Sequence, residues 1–506
     1  MTTGEIATFG LATASLTAIS AVLIWPLIYK ALQSVMVYFL VSWKNAKGER
    51  MPGEPPKLPF GHFNQVNFFG RPHSKKYGSV YYIWHCFTPV VMLSDAKAIR
   101  TFYSDHHSHE RERNMTCLGS VFEEILGSSM VTSHGRDEIR RCRGPFEKYF
   151  SAQIVSSGLK VIKRECTLFV NSLAVGKPIE LDERTLGNVT LRILIHEIYG
   201  EEVLEKYFER FLEICDILLD TLEMDNMGIT RLPFYSYLPT KANQKAHSFN
   251  RAWNGFNRFL FKEYEEGRLK SGECWFFSIV ESIKTHQLEL GEEELFQTLN
   301  EITLLNIDVS YAATSFVLSD LAQHQAIQDR VRLEIDEFLN ECDPNVGPDL
   351  NAKLPYLESV IKESARVHPA LAYSLPEKTV KPVTDLGGYL VPKGTSVCVD
   401  SFSLNFSNKY WKNPEQFNPE RFADGAHQVP GSFFRFGMGP RKCLGYRYAE
   451  AITRVMVISV LRKHTLQLSD VRSQPRVKTQ GFPGSIPYVC PDVIFEDRPT
   501  SPTTSD

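Results

Sequence analysis

A mainly α-helical fold with a smaller β region is what this sequence predicts, with one long central helix and an N-terminal transmembrane helix ahead of the globular part. Three observations carry that expectation. Residues 7–29, "ATFGLATASLTAISAVLIWPLIY", contain no charge; residues 292–324 repeat apolar side chains at spacings of three and four; and β-branched and aromatic runs gather near 78–95 and 387–404. With 506 residues, 43% hydrophobic and 23% charged, the chain can bury a large core. Its net charge of −3 excludes the chain-wide basic field on which non-specific nucleic-acid binding depends, so no nucleic-acid partner is expected.

Taken in order, the uncharged run comes first. As a helix it spans about 35 Å at ~1.5 Å per residue, enough to cross a hydrocarbon core of about 30 Å once. Glu5 is the only charge before it, whereas Lys30, Lys44, Lys47 and Arg50 follow, which places the rest of the chain in the cytosol. The alternative of a cleaved secretory signal fits less well, because the run exceeds the usual apolar core and the basic residues follow it. Residues 31–43 continue the helix or lie at the interface. The stretch "MPGEPPKLPFGH" (51–62) carries Pro52, Pro55, Pro56 and Pro59, which stop a helix and read as a stiff hinge or a surface loop. The chain thus divides into an anchor (1–45), a proline-rich hinge (46–62) and a globular domain (63–506).

Within that domain, "GSVYYIWHCFTPVVMLSD" (78–95) reads as a hairpin broken at Thr88 and Pro89. Helical periodicity then dominates from about 135 to 370, with helices expected over 201–223, 292–324 and 324–340. The segment 292–324 is apolar around most of its circumference, so it should run through the core rather than lie on it. Further on, "GGYLVPKGTSVCVDSFSL" (387–404) is strand-like around a Pro-Lys-Gly turn, and a last helix is expected from about 443 to 464.

Ten cysteines in a reducing compartment remain thiols, and nine of them form no CxxC or CxxH pair. Cys443 differs. In "FRFGMGPRKCLGYRYAEA" (434–451) it is framed by Gly437, Gly439 and Gly445, which let the backbone turn tightly around the sulfur, and by arginines that favour a thiolate. Zinc needs about four nitrogen or sulfur ligands, and none stand near. A single thiolate suits a cofactor that brings its other ligands, and haem does so through four porphyrin nitrogens.

The string "FGMGPRKCLG" (436–445) is similar to the haem-binding loop of the cytochrome P450 family at every fixed position, Phe-Gly-x-Gly-x-Arg-x-Cys-x-Gly. The resemblance implies the cytochrome P450 fold, with the long central helix over a buried haem (iron protoporphyrin IX with an axial thiolate). It also implies Cys443 as the metal ligand, Phe436 packed on the proximal side, Arg441 toward a haem propionate and Gly445 at the cofactor. Two further motifs follow in the family's order. "LESVIKESARVHPA" (357–370) supplies Glu363 and Arg366, three apart on one helical face, and "NPEQFNPERF" (413–422) supplies Arg421, a triad expected to be structural. "IRRCRGPFEKYFS" (139–151) resembles the helix that approaches the other propionate, with Arg143 and Arg140 as its candidates and Ile139 where the family often has Trp. The same register puts "NIDVSYAA" (306–313) over the iron. Asp308 matches the usual acid, Val309 takes the usual threonine position, and Ser310 is the nearest hydroxyl.

The regions that the family uses for substrate selection contain Phe122, Ile125, Leu126, Met227, Tyr311, Tyr373 and Leu375, which predicts an apolar small-molecule substrate. No nucleotide, flavin or iron–sulfur motif is visible, so electrons come from a partner; the resemblance implies a membrane-bound NADPH-cytochrome P450 reductase. Lys412, Arg435, Lys442, Arg447, Arg140 and Lys148 are its candidate docking patch, or else ordinary solvated charges. The expectation is a monooxygenase held by a single span in the endoplasmic reticulum membrane, in contact with membrane lipid, with its catalytic domain cytosolic. It would act on a natural-product intermediate, resembling fungal tailoring members of the family. Two alternatives stand beside it: an oxidase that couples or closes rings without net oxygen insertion, and a non-catalytic haem or lipid binder.

Overall fold

The structure is a computed structural model and describes residues 25–62, 73–105, 107–112, 119–224, 229–232, 234–270, 274–341, 353–423, 429–470, 476–477 and 488–498. Helices dominate it, as the periodicity predicts. The helices Glu201–Glu223, Gln325–Glu341 and Tyr446–Lys463 fall within a few residues of the expected spans.

The main sheet has five strands in the order Val80–His85, Thr88–Leu93, Ser396–Val399, Glu377–Thr379, His109–Arg111. Its first two strands form the predicted hairpin, but the turn falls at Cys86 and Phe87. Thr88 and Pro89 are strand residues opposite His85 and Trp84. Cys86 takes a φ of +48°, so it is the backbone at this residue, and not the proline, that reverses the chain. Tyr389–Val391 and Ser396–Val399 flank the Pro-Lys-Gly turn as expected, although they join different sheets.

Residues 25–40 are helical, and Trp25, Leu27, Ile28, Val35 and Phe39 are exposed along it. Among the described residues no helix is long and apolar enough to cross a membrane. Most of the span expected over 7–29 lies outside the described residues. The segment that follows is fastened to the globular part. Val41, Trp43 and Met51 are buried in the cluster that backs the sheet, and the 51–62 stretch runs along the first strand. There the Tyr82 N–H donates to the Pro52 carbonyl at 3.0 Å and the His62 N–H to the Trp84 carbonyl at 2.8 Å. The prolines forbid helix but leave carbonyls free to accept, which is why this segment can be stitched to a strand.

The helical core is one large cluster to which Ala152–Ser172, Leu186–Tyr199, Ile307–Gln323 and Tyr446–Lys463 contribute. Close approach is built in at Gly187, where a Cβ would stand 2.9 Å from Ile307. The helix expected over 292–324 passes through this core in two pieces, Glu292–Thr303 and Ile307–Gln323.

Candidate active site

Two glycines set the loop that carries Cys443. Gly437 and Gly439 have φ of +76° and +69°, a region that costs a side-chain-bearing residue about 1–2 kcal/mol. They let the chain reverse: Lys442 N–H returns to the Gly439 carbonyl at 3.1 Å, and Cys443 N–H donates to the Phe436 carbonyl at 2.8 Å. The helix Tyr446–Lys463 begins just behind the loop, with Gly445 as its N-cap at φ −80°. Phe436 is sandwiched from the side by the Arg435 guanidinium, 4.5 Å from its ring centre.

Cys443 has accessible surface, yet protein encloses it on nearly every side, so it lines an internal cavity. Burial pushes its thiol up, against the Gly445 N–H and the charge of Arg143. Ionising a thiol in such a place calls for a cation at the sulfur.

Arginines gather beside it. Arg441 donates to the carbonyls of Ser133 and His134, and burial together with the like charge of Arg111 brings its guanidinium down to about 10. Arg143 donates to the Lys442 carbonyl at 2.9 Å, binding its helix to the cysteine loop, and pairs with Glu147 at 2.9 Å. Arg111, on the strand His109–Arg111, is buried, and its Nε has no hydrogen-bond partner among the described residues. Sequence reasoning missed Arg111, because only sheet pairing brings it to Glu377 and Arg441. Arg140 lies on the exposed face of the helix Arg136–Glu147. Buried cations with a spare N–H suit carboxylates, and the lone thiol suits a metal that carries its own nitrogens, so these residues fit haem with its two propionates.

On the long helix, the interruption lies at residues 304–306. Leu305 N–H reaches back five residues to the Asn300 carbonyl at 3.2 Å, and Ile307 N–H only three, to Leu304 at 3.3 Å. Asn306 repairs the gap: its side-chain amide donates to the Glu301 carbonyl at 2.8 Å. Regular bonding resumes at Ser310, whose N–H donates to the Asn306 carbonyl at 3.0 Å. The periodicity runs unbroken across the site, so the break was not legible as a helix end. Asp308 and Ser310 stand in the first turn after it. The Asp308 side chain lies outside the described residues, and Ser310 is partly exposed.

The family model described as Cytochrome P450 matches residues 51–486. The chain belongs to the cytochrome P450 family. Similar proteins include the cytochrome P450 monooxygenases verC of Clonostachys rogersoniana (28% identical, covering 88% of this chain and 89% of that one), aclC of Aspergillus oryzae (27%, 82% and 85%) and gliC of Aspergillus fumigatus (26%, 88% and 90%). This P450 is accordingly a monooxygenase with a haem-thiolate cofactor, a small-molecule substrate and a redox partner.

The family's ExxR and PERF motifs meet as their order implies. Arg366 donates twice to Glu363, Arg421 donates to the same carboxylate at 3.2 Å, and the Asn418 N–H joins them at 2.8 Å. Of the expected pocket residues, Phe122, Leu126 and Leu375 converge with Val131 and Leu305 in one small apolar cluster. The others do not join it. Ile125 is buried in the main core, and Tyr311 packs there too, its hydroxyl 3.3 Å from Glu183. Tyr373 packs against the sheet near Tyr81, and Met227 lies outside the described residues. In the basic patch, Arg435 is enclosed and faces Glu450 at 3.6 Å, so it belongs to the interior; Lys442 and Arg447 lie over the Tyr446 ring at 4.0 and 4.6 Å.

Proposed function

We propose that this P450 oxidises an apolar natural-product intermediate in secondary metabolism, with Cys443 as the iron ligand and electrons from an NADPH-dependent flavoprotein reductase. The observation that carries the reading is the enclosed Cys443 on a self-closed loop, with Arg111, Arg143 and Arg441 beside it. Bound haem supplies the activation of molecular oxygen, chemistry for which side chains have no equivalent. The chain supplies the rest. Its arginines would hold the propionate carboxylates, Phe122, Leu126 and Leu375 would exclude water from the substrate, and Asp308 and Ser310, in the first turn after the break at 304–306, would carry the proton path. The fungal relatives support the metabolic setting.

The exposed apolar face of residues 25–40 supports anchoring in the endoplasmic reticulum membrane by the segment ahead of it. Lys412, Lys442, Arg447, Arg140 and Lys148 remain the candidate face for the reductase.

Val309 favours a second reading. With an apolar side chain next to Asp308, a reaction that depends little on relayed protons, such as ring closure or coupling, is served as well as hydroxylation. The test is to identify the intermediate that accumulates when the protein is absent from its host, then convert it with the reductase under labelled oxygen gas. Label in the product supports insertion; an unlabelled, cyclised or coupled product selects the second reading. Replacing Cys443 with Ser should abolish the thiolate-type carbon monoxide spectrum, and an unchanged spectrum would remove the ligand assignment.

A further inference from the structure

Among the described residues beside the apolar cluster, Glu301 is one that an apolar substrate does not explain. It sits on the helix Glu292–Thr303, one turn before Leu305, and Leu305 packs with Phe122, Leu126, Val131 and Leu375 in the apolar cluster just described. Its carboxylate accepts the Val131 N–H at 2.8 Å and a bond from Ser129, while its backbone carbonyl is held by Asn306. The carboxylate and the backbone of Glu301 are thus each held. Val131, whose N–H Glu301 accepts, packs in that same apolar cluster, so the carboxylate lies at the cluster's edge. Like Cys443, it is enclosed by protein and still has accessible surface.

We propose that Glu301 is the polar anchor of the substrate pocket, and that the substrate carries a hydrogen-bond donor, an N–H or O–H, on an otherwise apolar frame. This rests on the haem-thiolate reading above and adds a constraint to it. A carboxylate can accept about four hydrogen bonds, and Val131 and Ser129 account for two. Tying the loop to the helix uses these two acceptor sites and leaves the rest of the carboxyl's hydrogen-bonding capacity open at the edge of the apolar cluster. A donor from the substrate would satisfy the remaining lone pairs, and a purely apolar ligand would leave them bare.

The test uses haem-loaded protein and phenylimidazoles, which attach to iron through the azole and report binding in the visible spectrum. Ligands bearing an amino group at the ortho, meta or para position are compared with the methyl ligands of the same shape. The wild type should prefer the amino ligand at one or more positions by roughly tenfold, the scale of one charge-assisted hydrogen bond. Glu301→Leu should abolish or reverse that preference, and Glu301→Gln should weaken it several-fold. Equal binding of amino and methyl ligands at all three positions by the wild type overturns the proposal. So does a preference that persists unchanged in Glu301→Gln, the variant that decides the matter should Glu301→Leu take up no haem. Failure of the wild type to bind haem or any azole would instead overturn the haem-thiolate reading, and this inference with it.

Discussion

Arg366 donates two parallel hydrogen bonds to the Glu363 carboxylate, each 2.8 Å long, and neither side chain is reached by solvent. The same guanidinium donates to the Asn405 carbonyl at 2.8 Å, while Asn405 returns a bond to the Arg366 carbonyl at 3.0 Å. The pair thus fastens its helix to the segment that leads toward the cysteine loop. Arg366→Met leaves Glu363 buried with only Arg421 and the Asn418 N–H, and should cost about 3–5 kcal/mol. The denaturant midpoint of haem release should fall sharply. Arg366→Lys should recover only part of it, since an ammonium cannot make the parallel pair.

Position 439 should not tolerate a side chain. With φ at +69°, Gly439→Ala costs about 1–2 kcal/mol in backbone strain and should loosen the loop that ends in Cys443. Gly445 behaves differently: at φ −80° an added Cβ meets only Phe150, at 3.8 Å. Gly445→Ala should therefore leave thermal stability of the haem-free protein within about 0.5 kcal/mol of the parent. Weaker haem binding with that stability intact would show that residue 445 touches the cofactor.

Asn306→Ala removes the amide that satisfies the Glu301 carbonyl at the helix break. The loss should be about 1 kcal/mol in stability. The clearer readout is function, because the break borders the turn that holds Asp308 and Ser310. Product formed per NADPH consumed should fall, while the carbon monoxide spectrum stays unchanged.

Glu377 makes the site sensitive to acid. Burial works against its charge, but the hydrogen bond from His109 and the positive charge of Arg111 outweigh it and hold the carboxyl below the ordinary value of 4.5. A carboxyl lowered on folding contributes stability that is present above 4.5 and is lost as pH falls through the folded-state value. Haem retention should decline in that window. In Glu377→Gln the decline should be shallower, although the variant is weaker at neutral pH.

Local patterns were legible in the sequence because their chemistry is local. The cysteine loop needs glycines and an arginine at fixed spacing, and the Glu363–Arg366 pair needs only one helical turn. Arg111 and Glu301 were not legible, since sheet pairing and the packing of 128–133 on the long helix bring them to the cavity across large separations. Tyr311 and Tyr373 misled for the same reason: an aromatic residue near a pocket in sequence can turn its ring to the core instead. The helix break at 304–306 was not legible from periodicity, because apolar residues continue through Leu304 and Leu305, and only the Asn306 side chain reveals how the interrupted bonding is compensated.

For anyone preparing this protein, the first described helix sets a practical rule. Tyr29 and Gln33 both donate to the Pro56 carbonyl, at 3.5 and 2.6 Å, and Met36 and Val37 lean on the cluster that contains Trp43. A truncation before Trp25 therefore keeps an apolar arm, with Leu27, Ile28, Leu32 and Phe39 outward, and should need detergent to stay in solution. A truncation past Val41 uncovers the sheet. A cut between, near residue 40, removes the exposed apolar face but gives up the Met36 and Val37 packing and the two bonds to Pro56, so solubility is gained at the expense of part of the sheet's cover.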